Sequence, residues 1–230
     1  MTSTLDQTPD NLPDAPEEVP RTPVLRGLVR QLGPAVRLML VATLLLGVVY
    51  PAVVWGISRV PGLSGPAEGS VTASGASTLI GIDPVPADPA ADPWFHLRPS
   101  ASAPETATAG LGPADPSTSG GSNLATTALD LAKAVAERRT AIAAREGVTP
   151  ARVPDDAVTA SASGLDPDIS PEYAALQVPR VARVTGLPVA QVRELVADAT
   201  DGRALGVLGE PTVNTTELNA ALVAARPGLR

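Results

Sequence analysis

The chain has 230 residues but no cysteine, one histidine, one lysine and only five aromatic residues. Without cysteine it forms no disulfide and offers no thiolate to a metal ion. A single histidine excludes every metal site that needs several imidazole ligands. The aliphatic residues Val, Leu, Ile and Ala must therefore build the core, and packing alone must hold the fold together.

The longest apolar run is Leu38 to Ser58, 21 residues without a charged side chain. At about 1.5 Å per residue a helix of this length spans about 30 Å, the hydrocarbon thickness of a bilayer. The run therefore predicts one membrane-spanning helix, with a kink at Pro51. The alternative is a cleaved signal peptide. That reading is disfavoured because the apolar region of a signal peptide is only about 7–15 residues long and ends at a small-x-small site, which Ile57 to Val60 does not provide.

Four arginines precede the run with no acid among them, whereas Arg59 is the only base that closely follows it. By the positive-inside rule, this asymmetry predicts a single-pass protein with a cytoplasmic N-terminus and an extracytoplasmic C-terminal domain. The four are Arg21, Arg26, Arg30 and Arg37.

Composition divides the chain into three parts. Residues 1–23 are rich in proline and acid and predict a disordered cytoplasmic tail. Residues 24–59 form the juxtamembrane segment and the span. Residues 60–230 are predicted to form one extracytoplasmic domain, with 19 acids against 12 bases. A negative domain is a poor partner for nucleic acid, so nucleic-acid binding is not expected.

The fold class predicted for residues 60–230 is α+β, with a few short strands and three to four helices. Strands are expected at 70–72 and 78–80. Capping and breaking signals predict helices from Ser122 or Asn123 to about Arg145, from Ser170–Pro171 to a break or kink at Pro179, from Pro188 onward, and from about Thr215 to Ala225.

A Gly-rich segment offers a weak site for an anion or nucleotide. Ser119, Gly120, Gly121, Ser122 and Asn123 stand just before a predicted helix, where free backbone N–H groups and the helix dipole favour negative charge. The segment resembles the Ser-Gly-Gly core of the ABC-transporter signature, but it lacks the lysine of a P-loop. The alternative interpretation is an ordinary helix cap.

Three further patterns are better explained by structure than by chemistry. Trp94 to Ala101 contains His96, but no serine lies in a nucleophile elbow, so a structural turn anchored by Trp94 and Phe95 is expected rather than a hydrolase. Asp155, Asp156, Asp166 and Asp168 predict turns and caps rather than a calcium loop. Ala182 to Gly186 with Val192 resembles a helix-turn-helix, but its surroundings carry no net positive charge, so a helix corner is expected.

Four sequence blocks occur in an order known from one family. On these blocks and the N-terminal span, the chain resembles the C subunit of the Kdp potassium-transporting P-type ATPase over about residues 34–225. The blocks are Thr78–Gly81, Phe95–Ala101 (FHLRPSA), Ser119–Leu124 (SGGSNL) and Val158–Leu187 (VTASASGLDPDISPEYAALQVPRVARVTGL).

The chain departs from the family pattern in several places. Ile82 follows Gly81 where the family often has glutamine, and Asp168 stands where the family often has histidine. The loop from Thr106 to Pro116 lacks the usual Tyr-Asn pair. None of these positions carries a known catalytic group of the family.

The resemblance implies a non-catalytic subunit in the cell membrane of a bacterium. Its implied partners are a channel-like subunit that binds potassium and a P-type subunit that hydrolyses ATP. The implied role is assembly of the complex and action as a catalytic chaperone that raises ATP affinity. The chain itself has no Asp-Lys-Thr-Gly phosphorylation motif. The alternative function is a membrane-anchored extracytoplasmic binding module unrelated to transport.

The predicted topology conflicts with direct nucleotide contact. It places Ser119 to Asn123 outside the cell, where ATP is scarce. No cofactor or metal of the chain's own is therefore predicted, and ATP is expected to act through the complex. A helix packed against the membrane helices of the pump can change ATP affinity from a distance through a coupling free energy.

Overall fold

The computed structural model describes residues 24–61, 63, 64, 67, 69, 72, 75, 77–204 and 206–229. Contacts divide the chain into two compact units, with the boundary between Pro61 and Gly62. The predicted tail, 1–23, lies outside the described residues, as do Ser70 and Val71 of the first predicted strand.

One long helical segment makes up the described part of the first unit. It consists of α1 (Val24–Leu44), a π-helical turn (Leu45–Val49) and α2 (Tyr50–Ser58). Residues Val29–Ser58 have a mean hydropathy of 2.3 over their most apolar window, and none of that window is buried within the protein. Among the described residues this is the one helix long and apolar enough to span a membrane.

The π-helical turn ends at Val49, two residues before Pro51, where the sequence predicts a kink. Proline has no N–H, so the regular bond from residue 51 to the carbonyl of Gly47 is missing. The Tyr50 N–H donates instead to the Leu45 carbonyl, five residues back. The irregularity is therefore absorbed by one wide turn, and the helix continues to Ser58.

The second unit contains five α-helices and a small sheet among its described residues. The helices are α3 (Leu129–Glu146), α4 (Asp155–Val158), α5 (Pro171–Thr185), α6 (Val189–Asp198) and α7 (Thr215–Ala225). The strands are β1 (Asp168–Ile169), β2 (Thr200–Asp201) and β3 (Thr212–Asn214). Short 3-10 turns occupy Pro89–Ala91 and Pro150–Arg152. The predicted α+β class is confirmed.

Strand β3 lies between β1 and β2 and pairs antiparallel with both. Ile169 and Thr200 both pair with Val213, which is fully buried. The predicted strand at 78–80 is wrong, because these residues form a turn. A strand of two or three residues is too short to show an alternating pattern, which explains why sequence reasoning missed this sheet.

Several helix ends follow from their local sequence. The Ser170 Oγ accepts a hydrogen bond from the Tyr173 N–H, with Pro171 at the first helical position, as predicted for α5. Asn214 caps α7 in the same way, through the Glu217 N–H. Gly147 and Gly186 end α3 and α5 in the left-handed conformation, at φ of 68° and 75°.

The predicted start of the long helix is wrong. Helix α3 begins at Leu129, and the residue before it, Ala128, makes no side-chain cap. Asn123 has a φ of 53°, which is incompatible with a right-handed helix. Ser122 and Asn123 therefore lie in an irregular segment that joins α3 only several residues later.

Pro179 does not break α5, which runs without interruption through Pro171–Thr185. Pro179 and Ala175 are both exposed. Water can therefore satisfy the Ala175 carbonyl that loses its helical partner. The predicted break is thus wrong, because proline on the solvent side of a helix is tolerated there.

The core of the second unit is aliphatic around two buried aromatic rings. Phe95 and Tyr173 are fully buried and belong to one cluster with Ile142, Val192 and Leu222. The prediction that Phe95 anchors its loop to the core is confirmed. Trp94 is only half-buried and is not a member of this cluster.

Candidate docking groove and its buried ionic support

A surface groove of about 550 Å³ lies between helix α7 and the described residues of the segment that leads to Trp94. We call it the docking groove. The described residues that line it are all uncharged, although the domain that carries it has 19 acids and 12 bases. Its apolar part includes Ile80, Ile82, Pro84, Trp94, Pro116, Ala220 and Val223, and its polar part includes Thr72, Ser77, Thr216 and Asn219.

Alternation along one segment builds a wall of the groove. Ile80, Ile82 and Pro84 face the groove. Gly81 and Asp83 face the domain, because the Gly81 N–H donates to the Leu165 carbonyl and the Asp83 carboxylate accepts from buried groups. A period of two is the signature of an extended chain, so 80–84 runs as an unpaired strand-like edge.

Gly81 is required by close approach of the backbone. A Cβ at this position would lie 2.6 Å from the Asp166 carbonyl oxygen and 2.7 Å from the Cα of Pro167. Any side chain would push the segment away from residues 165–167. The glycine thus lets the groove wall lie directly on the loop that leads into β1.

Helix α7 forms the other wall of the groove, and polar side chains of the C-terminal region link it to the first wall. The Asn214 Nδ2 donates to the Thr78 carbonyl at 2.9 Å, and the Thr216 Oγ1 donates to the Ile80 carbonyl at 3.3 Å. Asn219 uses both amide atoms on Phe95, accepting from its N–H and donating to its carbonyl, each at 2.9 Å. These bonds join residues more than 120 positions apart in sequence.

A buried ionic network supports the groove wall from below. The His96 Nδ1 lies 2.9 Å from Asp83 Oδ2, and its Nε2 lies 2.5 Å from Asp92 Oδ2. Both ring nitrogens donate only when the imidazole is protonated, so this geometry fits an imidazolium between two carboxylates. Asp83 also accepts from the Leu97 N–H at 2.7 Å, which fixes the wall to the core segment.

Arg180 of α5 connects Asp92 to Glu146 of α3. Its guanidinium donates to the Asp92 carbonyl at 2.8 Å, to Glu146 Oε2 at 3.0 Å and to Gln177 Oε1 at 3.1 Å. The side chains of Arg180 and Glu146 are 4% and 0% exposed, so both charges are out of water and depend on each other.

Arg145 completes the network. Its Nε donates to Glu146 Oε1 at 2.7 Å, and its Nη2 donates to the Tyr173 hydroxyl at 2.8 Å. Together, Asp83, Asp92 and Glu146 balance Arg145, Arg180 and a protonated His96. Pro84 of the groove wall also lines a second cleft, of about 360 Å³, where Asp83, His96 and Arg145 meet solvent.

The network changes the acidity of its members. Burial alone would raise the pKa of Asp92, but the hydrogen bond and charge of His96 and the charge of Arg180 outweigh it, so the pKa of Asp92 is lowered. Burial raises the pKa of Tyr173 despite the opposing charge of Arg145, so its hydroxyl stays protonated. Asp92 is therefore held as a carboxylate.

The predicted anion segment, Ser119 to Asn123, lies in an exposed loop. The Gly120 N–H donates to the Ser163 carbonyl at 2.8 Å, and the Ser119 hydroxyl donates to the same oxygen at 3.1 Å. The segment does not start a helix, so the predicted cap is wrong and the helix dipole gives no help to an anion there. Whether the segment binds a nucleotide stays a prediction.

Three of the sequence blocks meet at this loop. Gly164 has a φ of 73°, and a Cβ there would lie 2.9 Å from the Gly120 carbonyl oxygen and 3.0 Å from the Ser100 Oγ. The hydroxyls of Ser100 and Ser102 are 3.0 Å apart. The block patterns thus reflect a close junction between three loops.

The remaining predicted motifs have structural roles. His96 contacts two carboxylates and no serine. Asp155 starts α4, and Asp156 accepts from the Ser170 N–H. No group of three potential metal ligands occurs within the described ranges. The Ala182–Gly186 pattern forms the corner between α5 and α6, as expected.

Sequence reasoning did not identify the network or the groove. Asp83 and Asp92 stand in a Pro-rich stretch that reads as a loop, and Arg180 and Glu146 look like ordinary helix-surface charges. Their buried contacts alone distinguish them from solvated side chains, and those of Arg180 with Glu146 and Asp92 join residues 34 and 88 positions apart.

The chain thus combines one membrane-length apolar helix with an acidic α+β domain that carries an uncharged groove. The family described as "K+-transporting ATPase, c chain" (KdpC) matches residues 32–224. A KdpC subunit of a potassium-transporting ATPase from Kineococcus radiotolerans is 47% identical, covering 88% of this chain and 98% of that protein. The relatives of that name from Rhodopseudomonas palustris and Nitratidesulfovibrio vulgaris are 40% and 44% identical, covering 87% and 84% of this chain and 100% and 95% of theirs. The chain belongs to the KdpC family.

Removing the charge of Arg180 should strongly destabilise the domain. In Arg180→Gln the buried carboxylates of Asp92 and Glu146 lose their shared cation, which should lower the free energy of unfolding by about 3–5 kcal/mol. The measurement is urea unfolding of the full-length chain in detergent, followed by near-UV circular dichroism. Arg183→Gln, an exposed position on the same helix, is the control. Equal stabilities of the two variants would contradict the role of the network.

The carboxylate of Asp168 works against folding. Burial and the nearby charges of Asp166 and Asp201 raise its pKa above the ordinary 3.8, outweighing hydrogen bonds from Asn214 and Thr212. The folded state therefore holds this proton to higher pH than the unfolded state does. Stability is lost as pH rises from 3.8 through the raised pKa, and the loss is complete above it.

Asp168→Asn should remove this penalty. At neutral pH the variant is expected to melt at a higher temperature than the unmodified chain, because its free energy of unfolding is higher by less than about 1 kcal/mol. The difference in melting temperature should close as pH falls toward about 4. Thermal melts of the full-length chain across this range test it, with the exposed Asp198→Asn as control. A gap that is independent of pH would refute this explanation.

Proposed function

We propose that this chain is the non-catalytic, membrane-anchored C subunit of an ATP-driven potassium import complex. The observation that carries the proposal is the family match over residues 32–224, together with relatives of that name aligned over almost their whole length. The absence of an Asp-Lys-Thr-Gly motif supports the non-catalytic assignment, since a P-type pump phosphorylates that aspartate.

In this proposal the helix Val29–Ser58 anchors the chain in the cell membrane with its N-terminus in the cytoplasm. The support is the excess of arginine before the span. The domain that follows then lies outside the cell. It docks through its uncharged groove on the channel-like, potassium-binding subunit, while the anchor contacts the membrane helices of the ATP-hydrolysing subunit.

The effect on ATP is indirect. Within the described part of the chain, Ser119 and Gly120 donate hydrogen bonds to the Ser163 carbonyl, and neither bonds to an arginine or lysine. A nucleotide phosphate would meet little positive charge there. We therefore propose that the chain raises the ATP affinity of the hydrolysing subunit by stabilising one arrangement of the complex, through a coupling free energy of about 1–3 kcal/mol.

A test of this function uses the whole complex. A C-terminal tag on the full-length chain should recover both partner subunits. A complex without the chain should need about 5–150-fold more ATP for half-maximal hydrolysis, which corresponds to the coupling free energy. Recovery of the tagged chain without ATPase subunits would support the unrelated binding module instead.

The double variant Ser119→Ala, Ser122→Ala separates the indirect mechanism from direct contact. Both positions are exposed, so the fold should survive the change. The indirect mechanism predicts an unchanged KM for ATP in the complex. A raised KM with normal assembly would favour direct contact at Ser119–Asn123.

A further inference from the structure

The docking groove has properties that define what can occupy it. Its volume of about 550 Å³ accommodates a few side chains rather than the face of a domain. Of the residues that line it, Ile82 and Val223 are 47% and 40% exposed, while Trp94 is half-buried. Since none of the described lining residues is charged, a charged group entering the groove would lose hydration without gaining an opposite charge.

The N-terminal tail is therefore an unsuitable occupant. Its first 20 residues contain five acids and no base. Thr72 and Gly75, the described residues of the following segment that reach the groove, line it as part of its wall rather than occupy it. An uncharged segment of another chain suits the groove better.

The backbone of the wall indicates the conformation of that segment. Ile80 donates its N–H to Ser77 and accepts from Thr216, and Gly81 donates to Leu165. The N–H and carbonyl of Ile82, in contrast, have no hydrogen-bond partner in the described part of the chain. An extended segment can pair with this free edge, whereas a helix has its own backbone groups satisfied internally.

We infer that the groove binds an extended, uncharged apolar segment of the channel-like subunit of the potassium-transporting complex. This inference rests on the proposed function. The segment pairs with the Ile82 backbone and places an aliphatic or aromatic side chain between Ile80, Trp94 and Val223. Pairing stops at Pro84, which has no N–H, so the contact is short and the side chain in the groove supplies most of its binding energy.

The cysteine-free chain allows a direct test by labelling. Single cysteines are introduced as Ile82→Cys and Val223→Cys in the groove, and as Val207→Cys at a control site that is 73% exposed. Each is expressed with the other subunits and treated in intact cells with a membrane-impermeant maleimide. We expect loss of labelling at both groove sites in the assembled complex, full labelling there without the partner subunits, and unchanged labelling of Val207→Cys in both states.

Cross-linking then identifies the occupant. A photo-reactive group on the groove cysteines should join the chain to a stretch of the channel-like subunit that contains no charged residue, as mapped by mass spectrometry. Labelling of the groove in the assembled complex would overturn the inference. So would a cross-link to a second copy of this chain, a cross-link to a charged stretch, or protection that disappears when lipid is replaced by detergent.

Failure of the proposed function gives different results. If the chain does not assemble with the ATPase subunits, the tagged chain is recovered alone, and the proposed function and the inference fall together. If Val207→Cys is labelled only after the cells are permeabilised, the proposed orientation is wrong. If the complex assembles with a labelled groove, the function stands and only the inference fails.

Discussion

The second unit depends on a buried network of six ionisable side chains. Arg180 and Glu146 are almost completely removed from water, so each is tolerable only with its counter-charge in place. The network joins the segment before Leu97, helix α3 and helix α5, which are distant in sequence. In a chain without disulfides, these charge-assisted hydrogen bonds fix the position of a long irregular segment that packing of aliphatic residues alone would leave poorly defined.

That fixed segment is also the wall of the docking groove. Asp83 faces the network while its neighbours Ile82 and Pro84 face the groove, so the ionic support and the apolar surface are two sides of one extended segment. Asn214 at the end of β3, with Thr216 and Asn219 of α7, links the opposite side to the backbone of Thr78, Ile80 and Phe95. A rigid, uncharged surface on an otherwise acidic domain suits a subunit that binds a partner chain in a membrane complex.

The sequence predicted the apolar span, the α+β class, the start of α5, both ends of α7 and the family, because these depend on local signals such as Ser170–Pro171 or on long patterns. The sequence-based predictions failed where contacts between residues distant in sequence determine the structure. The strands of the small sheet are too short for a pattern, and Asn123 in a left-handed conformation moved the start of α3 to Leu129. Asp83, Asp92 and Arg180 became meaningful only through partners in other elements.

Hydrogen–deuterium exchange of the full-length chain with His96→Gln tests the central claim most directly. The imidazole bridges Asp83 and Asp92, so its loss should release the groove wall. The account predicts faster exchange at the amides of Gly81 and Leu97, with little change in α6. Unchanged protection of Gly81 and Leu97 would show that the network does not hold the wall in place, and would contradict the account.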